Sequence, residues 1–163
     1  MTKVNMIQVA SQEEAAKFVK QRLAEKLQQG QLSNIGLATG STMIPVYKEL
    51  VASELDFSNV TAFNLDEYKG LPASSPNSYA YFMNHHLFQH KPFLSTNIPN
   101  GLAEDPEAEC ARYEQLLKEH PLDLQLLGVG ENGHIAFNEP NTPIDSITHV
   151  AELTDSTLGV NSQ

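Results

Sequence analysis

The sequence predicts an α/β fold with an open, mainly parallel sheet and helices on both faces. Three observations carry this. Short apolar runs alternate with stretches of helical periodicity, and such alternation builds parallel βαβ units. A length of 163 residues with 40% hydrophobic and 7% aromatic content suits one globular domain, residues 1–163, with a proper core. The sequence contains no repeat, low-complexity tract or inter-domain linker that would divide it.

Taken in order, Ser11-Gln-Glu-Glu14 is a capping-box pattern that opens a helix. Ala15, Phe18, Val19, Leu23 and Leu27 follow helical spacing along it, and Gly30 is its stop. Residues Asn34 to Ala38 are short and apolar enough for a central strand. Thr39-Gly-Ser-Thr42 is a turn, and helical periodicity resumes from Met43 to Glu54, with Pro45 tolerated in the first turn. Val60 to Leu65 is the next strand, ending in Asp66-Glu67-Tyr68. A polar loop from Gly70 to Asn77 leads into a helix from Ser78 to about Phe88. Asp105 before Pro106 is an N-cap with proline at the first helical position, starting a helix to His120. The run from Leu122 to Gly128 reads as a buried strand, and Ile147 to Leu153 as a further one.

Twenty acidic against ten basic residues give a net charge of −10, which repels nucleic-acid phosphates and anionic lipid. An anionic small molecule must then bind where the local field opposes the global one. The single cysteine, Cys110, rules out an intrachain disulfide and fits a reducing compartment; it lies in a helical pattern as a packed thiol. No extended apolar stretch near Met1 or of membrane-spanning length is present, so cytoplasm is the expected location.

Chemistry concentrates in three places. Between a strand and a helix, Thr39, Gly40, Ser41 and Thr42 combine a tight bend, three hydroxyls and a helix N-terminus, which suits a phosphate on a small molecule. The same pattern serves an ordinary capped turn, and it is neither a Walker A loop nor GxGxxG. Asp66 and Glu67 end a strand at the carboxyl edge. There a carboxylate can act as a general base, accept from sugar hydroxyls or cap the next turn. The third and most informative place is Gly128-Val-Gly-Glu-Asn-Gly-His-Ile-Ala-Phe-Asn-Glu-Pro140. Its glycines at 128, 130 and 133 point to backbone near a ligand or to positive φ. Asn132 can orient an imidazole, and Glu139 can pair with His134, giving a centre that moves protons near neutral pH. A buried histidine satisfied by a loop carboxylate is the plainer alternative. Tyr68, Ile135 and Phe137 read as packing residues. His85 and His86 lack the partners at helical spacing that a metal site needs, His90, His120 and His149 stand alone, and no metal is inferred.

Three motifs then occur in one order: Thr39-Gly-Ser-Thr42, Phe63-Asn-Leu-Asp-Glu-Tyr68 and Gly130-Glu-Asn-Gly-His-Ile-Ala-Phe-Asn-Glu-Pro140. With Asn77-Ser-Tyr79 to Phe82 and the Cys110-Ala-Arg-Tyr113 helix, they make the whole chain resemble the glucosamine-6-phosphate deaminase (isomerase) family. The resemblance implies a Rossmann-like sheet, conversion of glucosamine 6-phosphate and water to fructose 6-phosphate and ammonia, and no cofactor. It implies that Asp66 shuttles the proton between C2 and C1. His134 would act in ring opening with Asn132 and Glu139 in support, and the Thr39–Thr42 turn would form part of the phosphate cradle; Glu67, from its place at the strand end, is a further candidate for binding the substrate. The partner it implies is a phosphosugar, with no nucleic acid or membrane, and it does not fix self-association. The family continues past the equivalent of Gln163, into a part that carries a phosphate-binding lysine, and usually places arginine where this chain has Gln163. A shortened form is therefore expected, poorer in cationic phosphate ligands and with an exposed sheet edge.

Two other functions fit parts of the pattern. A 6-phosphogluconolactonase-like hydrolase would use the glycine-rich histidine loop but has no need of a proton shuttle at Asp66. A non-catalytic sugar-phosphate sensor would keep the crevice without needing a base beside C2.

Overall fold

The computed structural model describes residues 4–130 and 133–153. Four strands, β1 (Asn34–Leu37), β2 (Phe57–Asn64), β3 (Phe93–Asn97) and β4 (Leu124–Gln125), form one sheet in the order β3-β2-β1-β4, every pairing parallel. The helices are α1 (Gln12–Gln28), α2 (Ile44–Val51), α3 (Tyr79–Met83) and α4 (Pro106–Glu119). A 3₁₀ turn, Ser41–Met43, leads into α2, and a π-helical turn, Asn84–Phe88, extends α3.

The caps form where the residues require them. The Ser11 hydroxyl accepts from the Glu14 N–H, while the Glu14 carboxylate reaches back to the Ala10 N–H at 2.9 Å. At the other end of α1, the N–H groups of Gly30 and Gln31 bond to the Leu27 and Lys26 carbonyls, a Schellman closure. The Asp105 carboxylate accepts from the Glu107 and Ala108 N–H groups to start α4. Along α1 the buried positions are Ala16 and Leu23, with Val19 and Leu27 packed beside them; Phe18, placed on the apolar face by its spacing, stays 36% exposed.

Parallel pairing aligns Ile35 with Ala62 and Leu37 with Asn64, so these side chains share a face. Ile35, Leu37, Val60 and Ala62 join Leu23 of α1, Tyr47 and Leu50 of α2 and Leu87 of the π turn in the principal core. On the opposite face Phe63 packs near His120 at the end of α4, and the Tyr113 hydroxyl donates to the Asn64 and Asn97 carbonyls. Helices therefore cover both faces, as the alternation predicts.

The sequence pattern misplaced four features. β3 was not foreseen, because Phe93-Leu-Ser-Thr-Asn97 is an edge strand with mostly exposed, polar residues that leave little apolar signal. The strand expected over Leu122–Gly128 shrinks to two residues of intermediate burial, with Leu127 49% exposed. Among the described residues it pairs with β1 alone, so pairing and burial come from one side. Ile147–Leu153 forms no strand; Glu114 of α4 accepts from both the N–H and the hydroxyl of Thr148, holding that segment against the helix instead. The helix expected from Met43 to Glu54 is trimmed to end at Val51, its first turn tightened to 3₁₀.

One consequence of strand order positions the site. β1 has β2 on one side and β4 on the other, so the crossovers leaving β1 and β3 run in opposite directions. Such a reversal marks the region beyond the carboxyl ends of β1 and β4 as the place where open α/β sheets bind ligands.

Candidate active site

The turn after β1 comes first. Gly40 adopts φ of 103°, a conformation that strains any residue with a Cβ, and it caps the 3₁₀ turn that carries Ser41 and Thr42. The buried Tyr47 hydroxyl donates to the Ala38 carbonyl and fixes the end of the strand just before Thr39. Beyond β4, the backbone at Gly128 passes close to this turn: a Cβ there would lie 3.9 Å from the Thr42 Oγ1. The hydroxyl turn and the glycine-rich loop are thus neighbours at the carboxyl edge of the sheet.

Within the loop, Gly130 is needed for close approach, since a Cβ would meet the His134 ring at 2.2–2.5 Å. Gly133 takes positive φ, and the Gly130 N–H donates to the His134 carbonyl at 2.9 Å. Positive φ thus accounts for Gly133, while at Gly130 the close neighbour is the His134 ring rather than a ligand. Ile135 and Asn138 form an antiparallel bridge around a tight turn, which sets His134 and Glu139 at facing positions on either side of it. Ala136, at the turn's first corner, has φ of 54°, a left-handed conformation that an alanine adopts at a cost. Asn132 lies outside the described residues, as do Val160 to Gln163.

Phe137 projects from this turn onto Tyr68 and Tyr79, with ring centroids 4.9 and 5.5 Å away, and those two tyrosines are 5.0 Å apart. The Tyr79 hydroxyl makes polar contacts with Tyr68 and Thr39, and burial pushes its ionisation well above the usual tyrosine range. This aromatic cluster joins all three sequence motifs. Tyr68 and Phe137 look like simple packing residues in the sequence, because nothing in a one-dimensional pattern says that their loops meet.

Asp66 opens onto a cleft of about 440 Å³, whose walls include Ala136, Phe137 and Asn138 of the turn and the Ile147–Ala151 segment. It keeps some accessible surface on the cleft, yet the protein around it excludes enough water to push its carboxyl up to about 7, helped by the neighbouring Glu67 charge. A carboxyl held there is balanced between accepting and releasing a proton near neutral pH. Glu67 is differently employed: its carboxylate accepts from the N–H groups of Tyr68, Tyr79 and Ala80 at 2.7–3.0 Å, capping the start of α3. The structure thus brings Asp66, the Thr39–Thr42 turn and the His134–Glu139 hairpin to one edge of the sheet. Among the described residues, no group of three or more His, Cys, Asp or Glu is arranged to hold a metal ion.

A parallel α/β sheet with a hydroxyl-lined turn, a proton-poised carboxyl and a glycine-rich histidine loop at its carboxyl edge fits the class of open-sheet enzymes that act on small polar molecules. Residues 8–156 match the family described as glucosamine-6-phosphate isomerases/6-phosphogluconolactonase, and the chain belongs to that family. It is 55% identical over 160 residues to a glucosamine-6-phosphate deaminase of Streptococcus sanguinis, covering 98% of this chain and 68% of that protein. The structure of a monomeric glucosamine-6-phosphate deaminase superposes with a TM-score of 0.89 at 42% identity, over 95% of this chain and 67% of that one. A 6-phosphogluconolactonase from Thermotoga maritima shares the fold, with a TM-score of 0.69 at 21% identity over 80% of this chain and 61% of that one. The chain thus spans about two thirds of the deaminases it matches.

Proposed function

We propose that the chain, as a single sugar-phosphate isomerase-type domain, carries the chemistry of a glucosamine-6-phosphate deaminase of amino-sugar catabolism in the cytoplasm. It converts glucosamine 6-phosphate and water to fructose 6-phosphate and ammonia. The observation that carries the reading is Asp66, a carboxyl balanced near neutrality on a cleft walled by Ala136, Phe137 and Asn138, the residues between His134 and Glu139, in a chain more than half identical to a deaminase.

In this reading, His134 moves a proton between the ring oxygen and the C1 hydroxyl to open the sugar, with Glu139 facing it across the hairpin and Asn132 in support. Asp66 then removes the proton from C2 of the open aldose. The C2–H electrons form the C1=C2 bond of the enolamine while the C1 carbonyl π pair passes to O1, which takes a proton from the C2 ammonium. Asp66 returns the proton it carries to C1. The resulting imine at C2 takes up water and expels ammonia, leaving the ketone. Thr39, Gly40, Ser41 and Thr42 hold the phosphate through backbone N–H groups and hydroxyls. Glu67 maintains the neighbouring wall through its cap on α3. This sequence of steps calls on no metal or organic cofactor.

A lactone hydrolase needs no carbon-bound proton transfer, so it has no use for Asp66 in this environment. Ammonia release from glucosamine 6-phosphate, measured beside hydrolysis of 6-phosphogluconolactone, separates the two activities in one preparation. The Asp66→Asn variant is expected to lose about 10²- to 10⁴-fold in turnover while still binding the phosphosugar; unchanged turnover would remove Asp66 from the mechanism.

A further inference from the structure

Tyr79, the first residue of α3, touches all three of the motifs that meet at the sheet edge. Its N–H donates to the Glu67 carboxylate at 3.0 Å, and its ring centroid lies 5.0 Å from that of Tyr68 and 5.5 Å from that of Phe137. Its hydroxyl meets the side-chain hydroxyls of Thr39 and Tyr68. The backbone bond and the two ring contacts hold the phenol in place, so its hydroxyl is set beside Thr39 by packing.

The two hydroxyl contacts differ in sense. The contact with Thr39 favours the ionised phenol, as a donated hydrogen bond does; the contact with Tyr68 disfavours it, as a bond that uses the phenol's own proton does. Three half-buried hydroxyls are thus linked in a row, Thr39 to Tyr79 to Tyr68, with their protons directed away from the Thr39–Thr42 turn. A hydroxyl both donates and accepts, and its proton turns towards whichever partner accepts it. A phosphate dianion arriving at the turn offers acceptors alone. The row then reverses: Thr39 donates to the anion, Tyr79 to Thr39 and Tyr68 to Tyr79. Hydrogen bonds aligned in one sense polarise one another and strengthen the terminal bond. This gives the turn added donor strength without a cation, in a chain whose net charge of −10 works against anion binding.

We propose that Tyr79 is a specificity-determining residue for the phosphorylated sugar: its hydroxyl frees the Thr39 hydroxyl to donate to phosphate and, with Tyr68 behind it, reinforces that bond. The proposal deepens the assignment of the Thr39–Thr42 turn as the phosphate cradle and rests on it. Tyr79 acts through Thr39, so its effect falls on holding the phosphate group rather than on proton transfer at C2.

The test is Tyr79→Phe, which keeps the ring against Tyr68 and Phe137 and removes the hydroxyl alone. KM for glucosamine 6-phosphate is expected to rise about tenfold with kcat changed less than about twofold. The Kd for glucosamine 6-phosphate by calorimetry should rise in parallel, while the Kd for glucosamine, which lacks the phosphate, stays the same. An unchanged KM, a fall in kcat alone, or an equal loss for glucosamine overturns the proposal. A double-mutant cycle guards against a general effect on folding: in the Thr39→Val background, Tyr79→Phe should add less than about twofold to KM. Full additivity of the two losses would show that the phenol does not act through Thr39, and overturns the proposal too. If the unaltered chain binds glucosamine 6-phosphate without releasing ammonia, the deaminase reading fails, and the Kd comparison still decides the role of Tyr79. Absence of binding by the unaltered chain would remove the cradle and the proposal with it.

Discussion

Two parts of this molecule are built on different terms. The first runs from α1 to β4 and buries a continuous core in which Leu23, Tyr47, Leu50, Ala62 and Leu87 have essentially no exposed surface. The second runs from Gly128 to Leu153 and contains no fully buried side chain among its described residues; Val129 is 72% exposed, and Ile144 is open to solvent. Its hold on the rest comes from a few specific contacts: Phe137 on two tyrosines, and Thr148 on Glu114. The first part is a scaffold held by area, the second an arrangement of chemical groups held by individual contacts. Functional loops on a rigid sheet commonly show this division.

The largest effect that would test this division belongs to Asp66, which sits on the seam. Its folded-state carboxyl lies near 7 against an ordinary value of 3.8, so the folded chain keeps a proton that the unfolded chain releases. Stability attributable to this residue is intact below about pH 4, falls as pH rises through that window, and is fully lost above 7. Asp66→Asn lacks this loss. Denaturant titrations of the two proteins should coincide near pH 4 and diverge by up to about 4 kcal/mol in favour of the variant at pH 8. Parallel curves at both pH values would show that the carboxyl is not raised.

Next, Leu23→Ala in the scaffold should cost about 2–5 kcal/mol, whereas Ile144→Ala should stay within about 0.5 kcal/mol. Comparable losses from the two would erase the distinction between the regions. Gly130→Ala should then cut ammonia release by about a hundredfold at nearly unchanged Tm, because the added methyl displaces the His134 ring rather than any core residue. A drop in Tm of the size produced by Leu23→Ala would place the loop in the scaffold instead. A small loss is expected from Thr148→Val, which removes one hydroxyl bond to Glu114 and should cost about 1 kcal/mol. Faster proteolysis confined to the 147–153 segment would report it.

Much of the scaffold was legible because local rules decide it. Ser11, Ser78 and Asp105 cap helices wherever they occur before a helical run, Gly30 closes one, and strands β1 and β2 are apolar enough to declare themselves. Where long-range pairing decides, the reading failed. β3 is a strand because β2 offers it an edge, and Ile147–Leu153 is not one because α4 holds it elsewhere. The three functional motifs were visible as residue types, yet the part Tyr68 and Tyr79 play in joining them was not, since it depends on which loop lies beside them.

The amino-acid order by itself therefore determined the α/β class, the capped starts of α1, α3 and α4 and the types of group available for proton transfer, because capping, periodicity and side-chain chemistry act over a few residues. Only the tertiary structure decided that β1 lies between β2 and β4, that a cleft opens beside Asp66, and that water is thin enough around that carboxyl to hold its proton near neutrality. Desolvation and strand neighbours are properties of residues far apart in the chain, and no local pattern encodes them.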